Sequence, residues 1–112
     1  RVFLDATGPF NKEAFRRYHQ ELKTIVEGFN LEPWHHVAVL RGESILIPEV
    51  LELYVPHLRW RASKMGVSDT IVLDGNLHPS SAKYQLEKLF NELNMPLFFA
   101  DSVEQAIARR AF

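Results

Sequence analysis

Glu43, Ser44, Asp74 and His78 carry side chains that can do chemistry. Together they hold the parts of an acid–base or nucleophilic site: carboxylates and an imidazole to move protons, and a hydroxyl to attack. They sit in short polar segments behind apolar runs, Arg41-Gly42-Glu43-Ser44 and Asp74-Gly75-Asn76, with His78 close by. In open α/β sheets, ligands bind beyond such strand ends. No Gly-x-Ser-x-Gly elbow, Walker loop or Gly-x-Gly-x-x-Gly accompanies them. Such parts occur by chance in most small domains. No catalytic residue is therefore expected, and Arg41, Asp74, Asn76 and His78 are read as a ligand edge at most. A phospho-receiver arrangement also fails: no acidic pair follows the first strand and no lysine ends the last.

The histidines give no metal signature. His35 and His36 are adjacent in a predicted strand and face opposite sides. His57 has no metal ligand at helical spacing, and His19 and His78 stand alone. No metal and no cofactor is expected. Arg59, Arg61 and Lys64 surround Trp60, a combination that can stack bases. They point in different directions around a helix, so they are read as a solvated face whose stems cover the Trp.

Bulk charge agrees with that reading. The chain has 13 Lys+Arg against 14 Asp+Glu, a net charge of −1, which excludes holding nucleic acid by charge alone. Its 112 residues, 46% hydrophobic and 24% charged, are ordinary stock for one globular domain over residues 1–112. With no cysteine there is no disulfide, thiol nucleophile or thiolate metal site. No apolar run approaches the ~20 residues of a membrane span, and no signal-peptide layout opens the chain. The cytoplasm is the simplest expected location. Arg1 in place of Met leads us to expect a longer native N-terminus.

The elements that must position these residues alternate in period. Val2-Phe3-Leu4 opens an extended segment ending at Thr7-Gly8-Pro9. Asn11 caps a predicted helix with Ala14, Phe15, Tyr18, Leu22, Ile25, Val26 and Phe29 on one side. Trp34 to Leu40 reads as a buried strand. Pro48 fits the first turn of a long helix in the stretch from Ile45 to Met65, with Gly66 as its cap. Thr70 to Leu73 is a short strand. Pro79 opens a helix with Ala82, Leu86, Leu89, Phe90 and Leu93 inward, and Leu97-Phe98-Phe99 is a further strand. Asp101-x-x-Glu104 resembles a capping box for a last helix with Val103, Ala106 and Ile107 inward. The order predicts an α/β fold with a small, mainly parallel sheet of four or five strands flanked by helices.

With these elements in order, the chain resembles the STAS domain. That module is shared by sulfate transporters and anti-sigma-factor antagonists, and the likeness is to its stand-alone bacterial form. The telling stretch is Gly66, the strand ending TIVLDG, the turn NLHPSSA, and a helix ending Lys88-Leu89-Phe90-Asn91-Glu92-Leu93. Pro96-Leu97-Phe98-Phe99 and Asp101-Ser102-Val103-Glu104-Gln105-Ala106-Ile107 close it. The resemblance implies a non-catalytic regulatory module that docks a turn and the following helix onto a protein partner. It also implies a phosphorylated hydroxyl in that turn, at the position of Ser44. The family's Asp-Ser-Ser/Thr-Gly-like turn reads Arg41-Gly42-Glu43-Ser44-Ile45 here, so the Asp and the following Gly are absent. Phosphate at Ser44, beside Glu43, would disfavour an acidic or apolar partner face.

The long helix carries a second apolar stripe. Leu51, Tyr54, Leu58, Ala62 and Met65 form one face, while Leu46, Leu53 and Trp60 lie roughly 160–200° away. Pro56 removes the hydrogen bond to the Glu52 carbonyl and predicts a kink or two helices. Three outcomes follow. Both stripes are core of two short helices, or the second stripe meets a protein partner or a second copy, or it lines a groove for an apolar or lipid-like small molecule. Glu43, Ser44, Leu46, Leu53, His57 and Trp60 are the expected partner-binding residues. An enzyme at the strand edge is the weakest alternative.

Overall fold

The computed structural model describes residues 1–108. Strands β1 (Val2–Thr7), β2 (Trp34–Arg41), β3 (Gly66–Val72) and β4 (Leu97–Ala100) alternate with helices α1 (Lys12–Glu27), α2 (Pro48–Ser63), α3 (Pro79–Glu92) and α4 (Val103–Ala108). The strands form one all-parallel sheet in the order β1-β2-β3-β4. The fold is therefore α/β with a four-stranded parallel sheet between helices, as the alternating periods predict. No helix among the described residues is long and apolar enough to cross a membrane.

Strand alternation sorts the two faces. Ala38 and Ile71 pack with Leu58 of α2 and with Leu86, Leu89 and Phe90 of α3. Val37, Val39, Val72 and Ala100 point the other way and meet Ala106 of α4. α1 lies on the α2 side, where Leu22 and Val26 pack with Val2 and Trp34. His36 follows the same alternation and faces α1, while His35 bonds Ser68 at 2.7 Å.

Local chemistry sets the helix ends. Oδ1 of Asn11 accepts from the Ala14 amide at 2.8 Å, and Pro48 and Pro79 open α2 and α3. Three expectations are corrected. Gly66 is the first residue of β3, and the left-handed residue after α2 is Met65, with φ of 67°. Gly66 lies so close to α2 and β2 that a Cβ would sit 3.0 Å from both the Arg61 carbonyl and the Trp34 ring. The start of α4 is shifted by one residue. The Ser102 hydroxyl accepts from the Gln105 amide, and the Gln105 side chain accepts from the Asp101 amide. Only Ala106 of α4 is buried, and Val103 and Ile107 are exposed.

α2 is one helix that runs through Pro56, so the two-helix alternative falls. Its buried residues are Val50, His57, Leu58 and Arg61, a face rotated away from the apolar stripe ending at Ala62 and Met65. Leu46 precedes the helix and is buried with Phe15 and Val50. Leu53 and Trp60 are half-buried against the same side of the core, and the Trp60 ring meets the His19 ring of α1 edge-on at 4.9 Å. α1 thus takes up part of the second stripe within the chain.

Candidate functional site

The strand edge singled out by residue type is a set of mutual bonds. Arg41 binds Asp5 at 3.0 Å and Asp74 at 2.6 Å, all of it solvent-facing. Asn76 donates to the Leu40 carbonyl and, at 2.7 Å, to the Ser44 hydroxyl, while its Oδ1 accepts from the His78 amide. Ser44 is 1% exposed, so its hydroxyl closes a turn in this conformation and presents no outward face. Glu43 is exposed, and its carbonyl packs so close to Gly8 that a Cβ there would lie 1.7 Å from the oxygen. Leu46 is tied on both sides by Gln85, which accepts from its amide at 2.7 Å and donates to its carbonyl at 2.9 Å. Glu43, Asp74 and His78 share no hydrogen bond: Asp74 is engaged by Arg41 and His78 only through its backbone.

Chemistry gathers instead between α1, α2 and the sheet. Arg61 is 1% exposed, which corrects its assignment to a solvated face. Its Nη1 donates to both carboxylate oxygens of Asp69, at 2.6 and 2.7 Å, and Asp69 is 2% exposed. Nε of Arg61 donates to Nε2 of His57 at 2.9 Å, and Nη2 donates to the Tyr18 hydroxyl at 3.1 Å. The Tyr18 hydroxyl is 2.5 Å from Nε2 of His36, whose Nδ1 lies 3.2 Å from Oδ2 of Asp69. That last contact has the distance of an ion pair without the alignment of a hydrogen bond. His57, which lacks a ligand on its own helix, meets His19 across the helix interface, Nδ1 to Nδ1 at 2.6 Å, so His19 is not isolated.

Counting donors assigns the protons. His57 accepts from Arg61 on Nε2, so its own hydrogen is on Nδ1 and is donated to His19. His36 carries its hydrogen on Nδ1, where Asp69 attracts it, and accepts from Tyr18 on Nε2. The pKa shifts that burial and charge impose agree with neutral rings. Burial first, then the Arg61 charge, pushes His57 down to about 2. The same two causes lower His36, with Asp69 working against them. Burial raises Tyr18 to about 12 despite Arg61. Burial would raise Asp69 as well, but the Arg61 charge outweighs it and holds the carboxyl at about 2.

Above this network is a cavity of about 270 Å³. Tyr18 and His36 line it, together with Leu4, Phe10, Phe15, Leu40, Leu46 and Tyr54. It exists because Ala6, Ala14 and Ala38, three of the smallest side chains, line it from β1, α1 and β2. Arg17 and Glu21, both exposed, stand at its rim. Its volume equals about nine liquid waters and lies near the lower end of ligand pockets. A second, more open groove between α1 and α2 is lined by His19, Leu53, Pro56, His57 and Trp60. Sequence reasoning missed Tyr18, His36, Arg61 and Asp69. For Tyr18 and His36 the available signal was position, a polar group where periodicity puts core; Arg61 and Asp69 fall outside the predicted core positions. No protein-family model, curated protein or solved structure matches the chain.

Proposed function

We propose that this chain is a non-catalytic module that binds a small apolar molecule in the cavity between α1, α2 and the sheet. The observation that carries this is a concave, mostly apolar space with few polar groups on its wall, Tyr18 and His36 side by side among them, the usual composition of a small-molecule site. The polar end favours binding over reaction. The Tyr18 hydroxyl is kept protonated, so no phenolate stands ready for nucleophilic attack at neutral pH.

Toluene is the test. A molecule that binds only the folded chain at ten times its Kd stabilises it by about 1.4 kcal/mol, a rise of about 6 °C in Tm. Ala14→Leu fills the cavity from a helical position and is expected to fold while losing that rise. A Tm unmoved by saturating toluene overturns the proposal.

A second reading is the docking module that the STAS resemblance implies, cytoplasmic and working on a protein partner or a second copy. It draws support from Ile47 and Leu77, exposed at 46% and 67%, beside the Ser44 turn. Solution mass tests self-association: a dimer dissociated by Leu77→Asp supports it, and a monomer at high concentration counts against it.

A further inference from the structure

The polar end of the cavity has a hydrogen-bonding sense that selects among apolar ligands. A tyrosine hydroxyl has one hydrogen and two lone pairs. At Tyr18 the hydrogen goes to Nε2 of His36 and one lone pair takes the Arg61 Nη2 hydrogen. The remaining lone pair has no partner among the described residues. His36 offers no donor there, because its hydrogen faces Asp69. The Ser44 hydroxyl, also on the lining, is engaged by Arg41 and Asn76. The polar end therefore accepts at Tyr18, while the Tyr54 hydroxyl, on the same lining and beside Arg61, can donate.

Charge narrows the class further. An ammonium at the Tyr18 oxygen would face the Arg61 cation behind it. A carboxylate at the Tyr18 oxygen would bring lone pairs against a lone pair. The walls add a shape preference, since Phe10, Phe15, Tyr18, His36 and Tyr54 present rings to the space. Resting on the cavity reading above, we infer that the ligand is a small uncharged aromatic molecule with one hydrogen-bond donor, a phenol or an indole. Its O–H or N–H is donated to the Tyr18 oxygen while its ring lies among the aromatic walls.

The probes are p-cresol, toluene, 4-methylanisole and p-toluate, each titrated into the whole chain at pH 7.5. p-Cresol is expected to bind about five- to tenfold tighter than toluene, the size of one net hydrogen bond. 4-Methylanisole keeps the oxygen without the hydrogen and is expected to bind less tightly than p-cresol, and p-toluate weakest. Tyr18→Phe, checked for folding by circular dichroism, should remove the preference for p-cresol over toluene. Toluene or 4-methylanisole binding as tightly as p-cresol overturns the inference and leaves the cavity reading standing. So does p-toluate binding best. Binding of none of the four overturns both. The 4-methylanisole comparison uses the unaltered chain, so the outcome does not depend on the variant folding.

Discussion

Asp69→Asn is expected to destabilise the chain by about 3–5 kcal/mol, measured as the shift in its urea unfolding midpoint. The carboxylate receives two hydrogen bonds from Arg61 and faces His36, in a place where neither partner is more than 2% exposed. Removing its charge leaves a buried guanidinium without a counter-ion. Against a total stability of about 5–15 kcal/mol for a small domain, that is a large fraction. The effect is specific to breaking the pair. Exchanging both partners for apolar residues, Arg61→Met with Asp69→Leu, removes the uncompensated charge and is expected to be more stable than Asp69→Asn alone. An Asp69→Asn cost below about 1 kcal/mol would show that the pair is not buried as described. The pair also has a bearing on binding, because Asp69 fixes the His36 hydrogen and so the direction of the Tyr18 hydroxyl.

Acid is expected to weaken the fold well above the pH at which carboxylates titrate. His57 is held down to about 2, by burial first and by Arg61 second, while in the unfolded chain it titrates near 6.5. Between those values the unfolded chain binds the proton and the folded chain does not, so stability is full above about 6.5 and falls as pH falls. The slope for one such group is about 1.4 kcal/mol per pH unit, or about 2 kcal/mol between pH 7 and 5. His36, lowered by burial and Arg61, and His19, lowered by burial, Lys23 and Arg61, act in the same direction. Asp69 adds a second loss as pH falls from its ordinary value of 3.8 to about 2. Urea unfolding at pH 7 and pH 5 measures this, and His57→Gln should flatten the slope. A stability that is flat from pH 7 to 5 contradicts the neutral, buried imidazole. The same titration touches the groove between α1 and α2. The His19 Nδ1 accepts from His57, so a proton placed there sets two N–H groups head to head between α1 and α2.

The elements were readable from periodicity because their cores are apolar. Ala82, Leu86, Leu89 and Phe90 on α3 are buried as their spacing predicts, and Asn11 caps α1. The candidate site was not readable for the same reason. Counting apolar positions on α2 selects Leu51, Tyr54, Leu58, Ala62 and Met65. The face that packs inward is Val50, His57, Leu58 and Arg61, with two strongly polar residues in it. Those residues are stable inside only because Asp69 on β3 and Tyr18 on α1 meet them, and such meetings depend on tertiary arrangement. Asp69 also lies just outside the strand predicted from Thr70 to Leu73, since β3 begins four residues earlier. The second stripe of α2 misled in the opposite sense. Leu53 and Trp60 are half-buried on the α1 side of the core, where the Trp60 ring meets His19. The register of one helix against another is not written in either helix alone.

Amide chemical-shift mapping with toluene locates the binding site residue by residue. Saturable shifts are expected at Ala14 and Tyr18 on α1, Ala38 and Leu40 on β2, and Tyr54 on α2, with β4 and α4 unmoved. No saturable shift up to the solubility of toluene, or shifts gathered at the exposed Leu31 and Leu77 instead, would mean that the cavity between α1, α2 and the sheet is not where this protein holds an apolar molecule.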